Sequence, residues 1–64
     1  MKPITLAAAR KNAGYTQAEA AKLLESSEDT LSNYEAAKSF PSVPVIKRME
    51  SLYGVEYKDI NFLP

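Results

Sequence analysis

Apolar residues recur at helical spacing in four stretches of the chain: Leu6, Ala9 and Ala13; Ala20, Ala21 and Leu24; Leu31 and Tyr34; and Val45, Ile46, Met49, Leu52 and Tyr53. Each stretch follows a hydroxyl residue suited to an N-cap, namely Thr5, Thr16, Ser27 and Ser42, and Glu19 stands three residues after Thr16 as in a capping box. The pattern predicts helices over about 6–13, 17–25, 28–36 and 43–53. Gly14 and Gly54 are the expected stops of the first and fourth. Residues 57–61 suffice for one further helical turn, after which Phe62 and Leu63 can pack back. Strand-like alternation is absent. The expected fold class is therefore all-α, a compact bundle of five short helices behind a short arm, Met1 to Ile4.

The second and third helices start so close together that they imply a helix-turn-helix. Their apolar residues face the core, leaving Glu28, Asp29, Ser32 and Asn33 on the outward face of the second motif helix. The stretch Lys38-Ser39-Phe40-Pro41-Ser42 has loop chemistry, because Pro41 pushes Phe40 out of the helical region. Phe40 is expected to plug the edge of the domain, and Pro44 is tolerated in the first turn of the fourth helix. The predicted core comprises Leu6, Ala9, Ala13, Tyr15, Ala20, Ala21, Leu24, Leu31, Tyr34, Val45, Ile46, Met49, Leu52, Val55, Ile60 and Phe62.

At 64 residues the chain reads as one small domain, of a size that buries only about 60% of its unfolded surface. It contains no cysteine and no histidine, which excludes disulfides, the usual zinc sites and histidine-based acid/base chemistry. No catalytic constellation, cofactor site, metal site or small-molecule site emerges. Apolar runs fall far short of the ~20 residues that span a bilayer, and a secretory leader is not evident, so a soluble cytoplasmic protein is expected. Eight basic and eight acidic residues cancel, so any electrostatic attraction to an anionic partner must come from local asymmetry.

Leu6-Ala7-Ala8-Ala9-Arg10, Gly14-Tyr15-Thr16-Gln17, Ala20-Ala21-Lys22-Leu23-Leu24, Thr30-Leu31-Ser32-Asn33-Tyr34-Glu35 and Lys38-Ser39-Phe40-Pro41-Ser42 follow one another in a fixed register. That register resembles the lambda repressor-like (Cro/CI, Xre-type) helix-turn-helix domains of phage and bacterial transcriptional regulators. The resemblance implies a double-stranded DNA operator as partner, read as a homodimer, with the helix at about 28–36 in the major groove. It further implies that Gln17 contacts the DNA backbone and helps position the reading helix. Ser32 and Asn33 would then meet bases or phosphates, Glu28 and Asp29 join them in the DNA-binding set at the head of that helix, and Lys38 with the backbone around Ser39 would contact phosphates. Arg10 and Glu35 resemble a structural ion pair that bridges the first helix to the end of the reading helix.

Several positions depart from the family pattern. Glu25 stands where glycine is common in the turn, Ser26 where an aliphatic residue usually plugs the core, and Ala36-Ala37 where Arg-Gly often follows the glutamate. Glu28 and Asp29 occupy the head of the reading helix, where relatives carry basic or amide residues. Acids there complement the helix dipole and can accept from cytosine N4, yet they repel phosphates. Two readings stay open: a sequence-specific DNA-binding domain of a repressor-type regulator, or the same scaffold with an altered or lost DNA face, serving as a protein-interaction or model domain.

Overall fold

The computed structural model describes residues 3–62. Its elements run β1 (Ile4–Thr5), α1 (Leu6–Asn12), α2 (Gln17–Leu23), α3 (Glu28–Glu35), α4 (Val43–Tyr53), a single 3-10 turn at Tyr57–Asp59, and β2 (Ile60–Asn61). Four α-helices stand where five were expected, because the fifth is only the 3-10 turn. The remainder of that stretch extends and pairs parallel with β1, Ile4 opposite Ile60 and Thr5 opposite Asn61. This ladder ties the arm to residues far along the chain. Leu63 and the arm's first two residues lie outside the described residues.

Three helices start as their sequences dictate. The side-chain oxygens of Thr5, Thr16 and Ser27 accept from the backbone N–H groups of Ala8, Glu19 and Thr30, each at 3.1 Å. The Thr16 N–H in turn donates to the Glu19 carboxylate at 2.9 Å, which closes the capping box. Those bonds with Thr16 hold the Glu19 carboxyl below its ordinary value. Ser42 precedes α4 but makes no side-chain cap bond, contrary to expectation. Pro44, second in that helix, has no N–H to offer it.

All four helices end on a left-handed residue: Gly14 (φ 87°), Glu25 (φ 56°), Ala37 (φ 61°) and Gly54 (φ 67°). After α1, α2 and α3 the closing bonds have the Schellman pattern. Ser26 N–H reaches Ala21 O at 2.8 Å, and Lys38 N–H reaches Asn33 O at 2.9 Å. Helices α1, α2 and α3 are each slightly shorter than predicted because their last residues belong to these caps.

The core gathers Leu6, Ala9, Ala20, Ala21, Leu24, Leu31, Met49, Tyr53 and Ile60, with Ile46 also buried. Tyr53, on the predicted α4 stripe, proves to be a core residue, whereas Ala13, Tyr15, Tyr34, Val45, Leu52, Val55 and Phe62 pack only partly buried around it. Ile4 joins that partly buried layer through the ladder. Phe40 does not plug the edge: it is 60% exposed, its ring 4.7 Å from that of Phe62, and Pro41 is the buried residue of the loop.

Candidate nucleic-acid interface

The centre of the arrangement is a buried polar knot. Arg10 Nε donates to Glu35 Oε2 at 2.8 Å and its Nη2 to Glu35 Oε1 at 3.3 Å, a fork that matches the carboxylate. Its third nitrogen, Nη1, donates to the Tyr15 carbonyl at 2.8 Å. Gln17 Nε2 then donates to Glu35 Oε1 at 2.9 Å. The Arg10 and Glu35 side chains are only 9% and 7% exposed. Four places are thereby joined: the last turn of α1, the turn after it, the first residue of α2 and the last residue of α3. Buried charges persist only when paired and hydrogen-bonded, and both conditions are met.

Tyr53 lies against this knot. Its hydroxyl is buried without a hydrogen-bond partner. Burial pushes the phenol up to about 12; the Glu35 carboxylate adds to the rise and the Arg10 guanidinium opposes it. Its ring centroid is 6.5 Å from that of Tyr15.

With Leu31 turned into the core, the opposite face of α3 presents Glu28, Asp29, Ser32 and Asn33, all exposed. The sequence-predicted residues thus fall into two groups. Glu28, Asp29, Ser32, Asn33, Lys38 and Ser39 lie exposed on α3 and the loop after it, while Arg10 and Glu35, their side chains buried, and Gln17, half-buried, form the framework. The loop differs from expectation in one respect. The Lys38 and Ser39 N–H groups both donate to Asn33 O, at 2.9 and 3.4 Å, so the backbone there is spent on capping α3 and only the side chains face outward. The Tyr15 carbonyl as an Arg10 acceptor has no signature in the sequence.

The charges around α3 are uneven. Glu28 and Asp29 occupy its first turn, and among the described residues no cation is paired to them. Among the described residues Lys11, Lys22 and Lys38 have no carboxylate within 4.0 Å, whereas Arg48 pairs with Glu25 of the α2–α3 turn at 3.4 Å. No pocket is present among the described residues, none of their acidic residues cluster in a way that could hold a metal ion, and none of their helices is long and apolar enough to cross a membrane.

Two short helices locked at their ends, the second presenting a polar face from a tight turn, define a lambda repressor-like helix-turn-helix domain. A family profile described as "Helix-turn-helix domain" matches residues 4–61, and the chain belongs to that family. It is similar to the HTH-type transcriptional regulator ImmR of Bacillus subtilis (strain 168), with 43% identity over 47 residues, covering 73% of this chain and 37% of that protein. The chain thus spans little more than a third of that relative's length. No solved structure matches it.

Proposed function

We propose that this chain is the sequence-specific DNA-binding domain of a cytoplasmic transcriptional regulator of the repressor type, with α3 as the helix that enters the major groove of an operator, read as a homodimer. The observation that carries this reading is the Gln17–Glu35–Arg10 knot, which fixes α3 against α2 and leaves its polar face outward. A reading helix must be held rigidly while its own surface stays open. The likeness to a transcriptional regulator supports the same conclusion. Ser32 and Asn33 supply a hydroxyl and an amide for base edges, the latter able to pair bidentately with adenine, and Glu28 or Asp29 can accept from cytosine N4. Lys38 with Lys11 and Lys22 supplies the phosphate attraction.

Attraction of this kind is modest. Each phosphate neutralised contributes a slope of about −0.9 in log K against log salt, so three free lysines set a total of about −3 per protomer. Fluorescence anisotropy with duplex DNA at rising salt tests the proposal: binding with a slope of that order is expected. A folded domain with no salt-dependent binding to any duplex would return the scaffold to a protein-interaction role.

A further inference from the structure

We infer that β1 and the segment 56–62 form a latch that opens as one unit while the four helices stay folded. What packs on what defines the unit. β1 and β2 lie against each other and against α1, whereas α2 and α3 pack on each other and α3 and α4 pack on α1, so the ladder meets the helices chiefly through α1. The two strands pair as a sheet of their own, two residues each, with Ile4 opposite Ile60 and Thr5 opposite Asn61. Release of either strand therefore leaves the other without its partner. The largest fully buried side chains, Leu24, Leu31 and Met49, belong to the helices and their caps, and the Arg10–Glu35 fork ties α1 to α3 without any residue of the latch.

The latch is held by little. Ile60 is its buried anchor, while Ile4 and Phe62 are only partly buried. The Tyr57 N–H donates to Glu50 Oε2 at 2.8 Å, a bond open to solvent. The Phe62 ring lies 4.7 Å from that of Phe40, itself exposed, and 5.4 Å from that of Tyr57, which moves with the segment. Other bonds are internal and travel with it: Asp59 N–H donates to Glu56 O at 2.9 Å, Ile60 N–H to Tyr57 O, and Lys58 pairs with Glu56 at 3.4 Å. Regions that open below the global unfolding free energy have few buried apolar contacts and solvent-exposed bonds, and the latch has both features. Opening bares the apolar surface beneath Ile60 and withdraws Phe62 from Phe40, in the loop that follows α3.

Native-state hydrogen exchange of the whole chain, read by NMR over a series of sub-denaturing urea concentrations, tests this. Relative to intrinsic rates, the Tyr57, Asp59 and Ile60 amides are expected to exchange at least ~10-fold faster than those of Leu24 and Leu31 and to share one shallow urea dependence. Leu24 and Leu31 should follow the steep slope of global unfolding, because that slope scales with the surface exposed. Ile4→Ala then probes the far strand. It removes apolar contact made only in the closed state, so exchange at all three latch amides is expected to rise by one common factor of about 10-fold, the scale for truncating a partly buried side chain. Equal rates and slopes for latch and core amides would overturn the latch, since the domain then opens only as a whole. Unchanged exchange at the three amides in Ile4→Ala would overturn it too, because β1 and the segment 56–62 would then open separately. Should Ile4→Ala fail to fold, Ile4→Val takes its place: a smaller factor, still common to the three amides, supports the unit, and unequal factors overturn it.

Discussion

Glu25 and Ala37 share a backbone state that neither side chain favours: φ is 56° at the first and 61° at the second, and between them lies the whole of α3. The other two left-handed helix ends are glycines. A Cβ in this region crowds the following carbonyl and costs roughly 1–2 kcal/mol, part of which glycine recovers and part of which it returns through a freer unfolded chain. Neither position carries the glycine that this backbone state favours.

Glu25→Gly and Ala37→Gly should each stabilise the domain, by about 0.5–1 kcal/mol. Glu25 also pairs with Arg48 at 3.4 Å, but both side chains are well exposed and the lost pair offsets little. Thermal unfolding should show a higher Tm for each variant, with nearly additive gains in the double variant because the two sites share no partner. A fall in Tm for both would show that the caps are not strained.

Much of this fold was readable because its signals are local. Thr5, Thr16 and Ser27 cap at sequence separations of three, and the stripes of α1, α2 and α4 repeat within one helix, so a short window suffices. The β1–β2 ladder was not readable: two residues cannot display a period of two, and their partners lie 56 positions away, as Ile4 and Ile60 do. Phe40 misled because an aromatic before a proline resembles a plug, whereas its ring lies against that of Phe62 and stays exposed. At the interface the exposed face of α3 followed from the placement of Leu31. The orientation of the Gln17 amide did not, since it depends on where the end of α3 returns in space.

Removing Arg10 should be far more damaging than any surface change. Arg10→Met leaves the Glu35 carboxylate buried with only the Gln17 N–H, and strips the Tyr15 carbonyl of its Nη1 donor. Breaking one partner of such a buried pair costs about 3–5 kcal/mol, a large share of the stability of a domain this size. Urea denaturation should find the variant largely unfolded at 25 °C. Arg10→Met combined with Glu35→Leu should recover much of the loss, because no charge is then left buried alone.

Tyr53 makes an alkaline prediction with a definite sign. Its phenol titrates at about 12 in the folded domain against 10.0 ordinarily, so the unfolded chain releases this proton first. The folded state binds more protons between those values, and stability must fall as pH rises through them, being fully present below pH ~10. Tyr53→Phe should remove that part of the alkaline decline, seen as a flatter plot of urea midpoint against pH than the parent gives. At neutral pH the variant should be at least as stable, since it deletes a buried hydroxyl that has no partner. A decline as steep as the parent's would show that Tyr53 ionises freely.

The head of α3 gives the strongest handle on activity. Glu28 and Asp29 are exposed in its first turn and without an ion-pair partner among the described residues, and there they complement the helix dipole at a gain of about 0.3–1 kcal/mol. In the proposed docking of α3 the same carboxylates would face phosphates without a compensating cation on that helix, whose eight residues include no Lys or Arg. Glu28→Lys therefore sets two effects against each other: a small loss of helix stability, and removal of one repulsion together with gain of one attraction. For binding the second should win. Affinity for duplex DNA at low salt should rise about 10-fold, and the salt slope should steepen by about 1, the contribution of one added phosphate contact. Ala36→Arg, immediately beyond α3, should add a similar increment. If Glu28 accepts from a cytosine amino group, the gain will be confined to random duplex, and affinity for the true operator will fall. Anisotropy titrations of parent and variant against random and selected duplexes would separate repulsion from readout at this one residue.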